Sequence, residues 1–302
     1  IQEILTRGVE DVIVKEDLEK QLLSGNKLRI KLGIDPTGPK IHLGRAIVLR
    51  KLRAFQNLGH TAVLIIGDFT AFIGDPSDKL EKRPMLTPEK IKENLTTYKK
   101  QLGQILDLKN NIEIHFNSAW LKKLTFAEIA QMAESFTVQQ MSQRRNFKER
   151  LERGDDISLR EFLYPLMQGY DSVAIKSDVE LGGFDQLFNV KAGRIMQDFF
   201  KQRPQNILTT AMLVGTDGRK MSTSWGNVVN IVDEPKDMYG KIMSVRDDLV
   251  VTYFTLCTNL SIDEVKNIAQ GLVQNTLHPR DAKMRLAREI VTLYHSPKDA
   301  QD

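Results

Sequence analysis

A single cysteine, Cys257, stands among 302 residues. That scarcity excludes an internal disulfide and any cysteine-based metal site, and it points to a reducing, cytoplasmic compartment. Long apolar runs are missing as well: none reaches the roughly 20 residues that span a bilayer, and no signal-peptide pattern is visible. No internal repeat, low-complexity segment or metal-ligand pattern is evident, so neither a membrane partner nor a protein metal site is expected. Both common phosphate-binding fingerprints are lacking, since no G-x-G-x-x-G follows a strand and no G-x-x-x-x-G-K-[ST] occurs. Charge of one sign is not strongly dominant. The formal net charge of +4 and pI near 9.0 allow a nucleic-acid partner without requiring one.

What is present is an alternation of strand and helix patterns. Residues 1–25 carry apolar residues at helical spacing. Leu28–Ile34 alternates like a strand, and Leu43–Leu58 is amphipathic helix. Thr61–Ile66 is a continuous apolar run of the kind buried in a parallel sheet. A long loop over 67–84 precedes a basic helix over 88–106 and a strand over 112–116. Helical, increasingly basic sequence over 117–153 follows, then a helix over 159–177. A strand at Val179–Leu181, a helix over 185–200 and a strand over 206–213 complete the alternation. Beyond Asp233 the pattern is helical throughout. This order predicts an α/β protein: a Rossmann-like parallel sheet domain over 1–225 with a helical insertion at about 117–158, then an α-helical domain over 226–302.

The stretch Gly33-Ile34-Asp35-Pro36-Thr37-Gly38-Pro39-Lys40-Ile41-His42-Leu43-Gly44-Arg45 forces a turn between strand and helix. Its helix opens at His42-Leu43-Gly44, where free N–H groups and a positive dipole end suit a phosphate. Alone, such a turn can simply reverse the chain. Downstream lies a second motif, Lys220-Met221-Ser222-Thr223-Ser224. The two resemble, in order and about 180 residues apart, the HIGH and KMSKS signatures of class I aminoacyl-tRNA synthetases.

A third feature is the largely apolar helix containing Tyr164, Gln168 and Asp171 at i, i+4 and i+7, which share one face. A buried carboxylate there needs a partner. The polar stripe fits either a satisfied internal network or a ligand with a cationic end and a hydroxyl end.

Over nearly its whole length the chain resembles the bacterial tyrosyl-tRNA synthetases. The likeness rests on Gly33–Thr37, Ile73-Gly74-Asp75-Pro76-Ser77, the Tyr164–Asp171 string, Gly182-Gly183-Phe184-Asp185-Gln186 and the Lys220 loop. It is nearest the branch with lysine, here Lys31, before the turn. The tryptophanyl enzymes lack the Tyr-x-x-x-Gln-x-x-Asp string. The resemblance implies activation of tyrosine by ATP with accompanying Mg²⁺, transfer to tRNA(Tyr), and a homodimer. It implies that Asp171 accepts the phenolic hydroxyl, that Tyr164, Gln168 and Asp75 hold the ammonium, and that Gln186, Gly33 and Lys31 belong to the same pocket. Asp35, Thr37, His42, Gly44, Asp185, Leu213, Lys220, Met221 and Ser222 would meet ATP. His42, Arg45, Lys79, Arg83 and Lys220 would act on the phosphates. Arg144, Arg145 and Lys148 would receive the tRNA acceptor stem, and Lys31 would pair with Asp171. The family's small C-terminal RNA-binding domain is absent from the 302 residues. Three positions depart from the pattern: Arg45 for the second histidine, Thr223 for the second lysine, with Arg219 as a compensating charge, and Phe184 for a small hydroxyl residue. A paralogue with a non-tRNA acceptor, or a non-catalytic RNA-binding protein, would use the same fold.

Overall fold

An apolar run buried on both faces belongs in the middle of a layered sheet, and Thr61–Ile66 lies there, its last five residues all buried. The computed structural model describes residues 1–76, 85–221 and 225–301. Six strands form one sheet: β1 Val9–Ile13, β2 Arg29–Ile34, β3 Thr61–Ile66, β4 Ile112–Phe116, β5 Val179–Gly183 and β6 Asn206–Thr210. Their order is β1-β6-β5-β2-β3-β4. Parallel pairing joins β2 to both β3 and β5. The chain therefore winds outward through β3 and β4 on one side, and through β5 and β6 on the other. A crevice opens at this reversal, beyond the carboxyl ends of β2 and β5.

The expected helix over 1–25 is not one helix. Gln2–Thr6 and Lys15–Leu23 are helical, but Val9–Ile13 forms β1 and pairs antiparallel with β6. Gly8 at φ +61° breaks the helix, and the β-branched Val9, Val12 and Ile13 suit a pleated edge. The sheet is thus mixed rather than wholly parallel. The basic helix over 88–106 is two helices, Pro88–Leu95 and Tyr98–Gly103. The helical stretch over 117–153 is four short ones: Ser118–Leu121, Phe126–Ala133, Val138–Ser142 and Arg145–Arg153. Thr125 and Thr137 restart the chain there as capping boxes with Glu128 and Gln140. The strand expected over 206–213 ends at Thr210, and the helix expected from 185 begins with a 3₁₀ turn at Phe184–Gln186.

Helices Leu159–Ile175 and Leu187–Phe199 pack closely because Gly169 faces the second helix. A Cβ there would lie 2.7 Å from Met196 Cγ and 2.9 Å from the Ala192 carbonyl. The C-terminal helices Pro235–Met243, Val250–Cys257, Ile262–Val273 and Pro279–Tyr294 match the sequence pattern. One buried apolar cluster joins Ile30, Leu64 and Phe55 to Tyr253, Leu286 and Ile290.

Gly193 marks a similar close approach. Its Cβ would meet Gln205 Nε2 at 2.2 Å, Ser172 Oγ at 2.7 Å and Glu180 Oε2 at 2.9 Å. Gly193→Ala is expected to destabilise the fold by about 1–3 kcal/mol, the usual range for overpacking. Urea denaturation measures it, and an unchanged midpoint contradicts the packing described.

Candidate active site

The crevice is a cavity of about 270 Å³ at the carboxyl ends of β2, β3, β5 and β6. Of the residues expected in one site it collects Gly33, Asp35, Thr37, His42, Gly44, Arg45, Asp75, Tyr164, Gln168, Asp171, Asp185, Gln186, Leu213, Lys220 and Met221. Lys79, Arg83 and Ser222 lie outside the described residues, as does Thr223.

At one end stand three acceptors. Asp75 takes hydrogen bonds from Gln186 Nε2 at 2.8 Å and Asn189 Nδ2 at 3.2 Å. Tyr164 donates its hydroxyl to Asp35 Oδ2 at 2.9 Å, which leaves the phenolic oxygen an acceptor. Gln168 donates its amide to Glu180 Oε1 at 3.1 Å and so turns its carbonyl oxygen to other use. A carboxylate, a hydroxyl oxygen and an amide oxygen around one space complement the three donors of an ammonium.

Asp171 is deeper, 3% exposed. Trp120 Nε1 donates to its Oδ1 at 2.7 Å and Asn117 Nδ2 to its Oδ2 at 3.2 Å. Burial pushes its carboxyl up to about 7, against the pull of the Lys31 charge and these two donors. Lys31 nevertheless does not pair with Asp171 and does not line the cavity. Its ammonium bonds Glu180 Oε1 at 2.8 Å, the backbone carbonyl of Gln168 at 2.8 Å and Ser172 Oγ at 2.7 Å. The reason is register: on adjacent parallel strands Lys31 stands directly opposite Glu180. Asp35, which the resemblance assigns to the nucleotide, lines the cavity; its carboxylate accepts from Thr70 at 2.7 Å and from Tyr164, and burial raises it to about 6.

At the other end the helix Leu43–Asn57 opens with His42 as its N-cap. The Nδ1 of His42 is buried without a partner among the described residues. Burial, and then the Arg45 charge, push its imidazole down to about 4, so it is neutral at physiological pH. A Cβ on Gly44 would come within 3.1 Å of that nitrogen and 3.3 Å of Met221 Sδ. Glycine keeps the helix end open, and the Lys220 loop lies against it. Arg45 donates to Thr37 Oγ1 at 2.6 Å and to Tyr98 at 3.1 Å, bracing the turn. The loop is a tight hairpin in which Val214 bridges Lys220, Gly218 sits at φ +84°, and Asn227 donates to the Lys220 carbonyl at 3.1 Å. Arg219 does not line the cavity. It pairs with Asp217 at 2.6 Å and lies over Trp225.

The basic run behaves differently from a solvated face. Arg144 is buried, stacked over Phe147 and Phe188, and donates to Asn189 Oδ1 at 3.1 Å. Through Asn189 it reaches Asp75 rather than solvent. Lys148 is exposed beside Glu152. Sequence reading missed Asn117, Trp120, Thr70, Glu180 and Asn189. Asn117 was recoverable as the first residue beyond β4, on the same edge as the other site residues.

The profile of the class I tRNA synthetases for tryptophan and tyrosine matches residues 23–302. The tyrosine–tRNA ligase of Moorella thermoacetica is 51% identical across 98% of this chain and 73% of its own length. That of Thermotoga maritima is 49% identical, over 99% and 74% respectively. Among solved structures, a C-terminally truncated mitochondrial tyrosyl-tRNA synthetase of Aspergillus nidulans superposes with TM-score 0.79 at 25% identity, covering 98% of this chain and 89% of that one. The Archaeoglobus fulgidus tyrosyl-tRNA synthetase complexed with L-tyrosine has TM-score 0.80 at 23% identity, over 99% and 98%, a likeness of fold. The chain spans about three-quarters of the length of those two bacterial relatives.

Proposed function

Because this chain belongs to the tyrosine–tRNA ligases among the class I aminoacyl-tRNA synthetases, we propose that its cavity carries out tyrosine activation with the following division of labour. Asp75, Tyr164 and Gln168 receive the ammonium, and Gln186 orients Asp75. Asp171 accepts the phenolic hydroxyl, braced by Trp120 and Asn117. Gly33 floors the amino-acid end. At the nucleotide end Asp185 takes the ribose, backbone near Leu213 the adenine, and Thr37, Gly44 and Met221 the phosphate side. The tyrosine carboxylate attacks the α-phosphorus in line, the bond to the β,γ-pyrophosphate breaks, and tyrosyl-adenylate remains. No protein base is needed, since the carboxylate is already the nucleophile. Catalysis is positioning plus neutralisation of the charge that builds on the leaving pyrophosphate. His42 serves as a neutral hydrogen-bond donor, Arg45 braces the turn, and Lys220 supplies charge. Lys79, Arg83 and Ser222 are kept in the phosphate group by resemblance alone. The adenylate then gives its tyrosyl group to the terminal ribose of tRNA(Tyr), and AMP leaves. Among the described residues no cluster of three or more His, Cys, Asp or Glu could hold a metal. Mg²⁺ is read as part of the MgATP substrate, bound by phosphate oxygens and water.

The arrangement that carries this reading is the three-acceptor end joined to the buried Asp171 in one cavity with the helix start and Lys220. Tyrosine-dependent ATP–pyrophosphate exchange followed by charging of tRNA(Tyr) tests it. Exchange that does not depend on tyrosine overturns it. The helical segment 226–302 is read as the part leading toward the anticodon, in a cytoplasmic homodimer. No helix among the described residues is long and apolar enough to cross a membrane.

The split of the basic run gives a sharp expectation. Lys148→Ala should weaken tRNA charging and flatten its salt dependence while leaving exchange intact. Arg144→Ala should instead raise the KM for tyrosine in exchange by about tenfold, the scale of one charge-assisted hydrogen bond acting through Asn189. Damage by Arg144→Ala confined to charging would return that residue to the RNA. Arg145, whose side chain lies outside the described residues, stays with the RNA by resemblance alone.

A further inference from the structure

Behind the substrate face lies a buried polar network that no step of the reaction uses. Lys31 and Glu180 are each 0% exposed and pair across adjacent strands at 2.8 Å. Every group bonded to Glu180 is a donor: Lys31, the Gln168 amide, the Ser172 hydroxyl at 3.1 Å and the Gln205 amide. An ionised carboxylate accepts only, so the Gln168 atom beside it must be nitrogen. The Gln168 oxygen is then the atom left for the cavity, where it takes no donor from the described residues. A carboxamide in place of Glu180 could itself donate, and Gln168 could then turn over and present its NH₂ group to an incoming ammonium. The ammonium of Lys31 supplies the counter-charge a carboxylate needs at full burial.

We propose that Glu180, held by Lys31, is the positioning residue that fixes the amide orientation of Gln168 and so makes the site selective for the ammonium of its substrate. This rests on the assignment of Gln168 to the ammonium. The test compares two ligands that lack a carboxylate and cannot react. One is tyrosinol, with phenol and ammonium; the other is 3-(4-hydroxyphenyl)propan-1-ol, with the phenol only. Titration calorimetry gives Kd for both. Wild type is expected to prefer tyrosinol, and Glu180→Gln to lower that preference about tenfold, chiefly by weakening tyrosinol. Since Glu180→Gln leaves a buried ammonium unpaired and can unfold the chain, Lys31→Met/Glu180→Gln removes both charges at similar volume. It should fold and still lack the preference. In a Gln168→Ala background, Glu180→Gln should have no further effect on the ratio. Equal weakening of both ligands, or full preference in the double variant, overturns the proposal. A wild type with no preference for tyrosinol overturns the ammonium assignment itself, before any variant is compared.

Discussion

Lys220→Ala is expected to lower kcat for pyrophosphate exchange by about 10²–10³-fold while changing the KM for tyrosine little, the scale for removing one group that meets charge formed in the transition state. Lys220 lines the cavity at the nucleotide end, on a hairpin braced by Asn227 and closed on Val214. The three acceptors, Asp75, Tyr164 and Gln168, lie at the other end of the cavity, so binding of tyrosine has little reason to suffer. His42→Ala should act the same way with a smaller loss, because a neutral imidazole contributes one hydrogen bond rather than a charge. With its imidazole near 4, His42 adds no inflection to the rate profile near neutrality. It does affect stability. The unfolded chain takes up that proton near pH 6.5 and the folded chain only near 4, so the His42 contribution is present above about 6.5 and is lost as pH falls toward 4. Single-turnover exchange at saturating tyrosine measures the catalytic part. Either variant raising the KM for tyrosine at unchanged kcat contradicts the assignment.

Removing the Asp171 carboxylate should produce the largest change in specificity. Asp171→Ala is expected to reduce kcat/KM for tyrosine by roughly 2–4 kcal/mol, the scale for losing a buried, charge-assisted hydrogen bond. Phenylalanine never makes that bond, so its kcat/KM should fall much less and the discrimination should collapse; tyrosyl-tRNA synthetase is itself a standard illustration of such hydroxyl-based rejection. The same carboxyl gives a pH signature. Desolvation raises it to about 7, so the acceptor form fills as pH rises through neutrality, and kcat/KM for tyrosine should fall as pH drops from about 8 to 6. The sign for stability is opposite to that of His42. Folded Asp171 holds a proton that the unfolded chain has released, so its ionisation weakens the unliganded fold as pH climbs from about 4 through 7. Exchange rates with tyrosine and phenylalanine across that range, for wild type and Asp171→Asn, decide the matter. A pH dependence that survives in Asp171→Asn places the titration elsewhere, and equal losses for the two amino acids in Asp171→Ala make the residue structural.

Short-range chemistry alone determined the turn Gly33–Arg45, the apolar run of β3 and the shared face of Tyr164, Gln168 and Asp171. Each depends on local preferences or on the spacing of one helix, and each is found as read. The N-terminal stretch was not determinable this way. Ile4, Leu5, Val9, Val12 and Ile13 satisfy a helical period, and only the open edge of β6 makes the last three of them part of a strand. Partners across the fold were beyond reach for the same reason. That Lys31 faces Glu180 rather than Asp171 follows from strand register, a relation between residues 149 positions apart that no local pattern contains. Trp120 and Asn117 reach Asp171 because β4 ends beside β3. Arg144 turns inward because two phenylalanine rings and Asn189 wait there. The sequence by itself therefore determined most of the side chains that the cavity gathers; the tertiary structure decided which of them are paired, and pairing sets their charge and the atom each one offers.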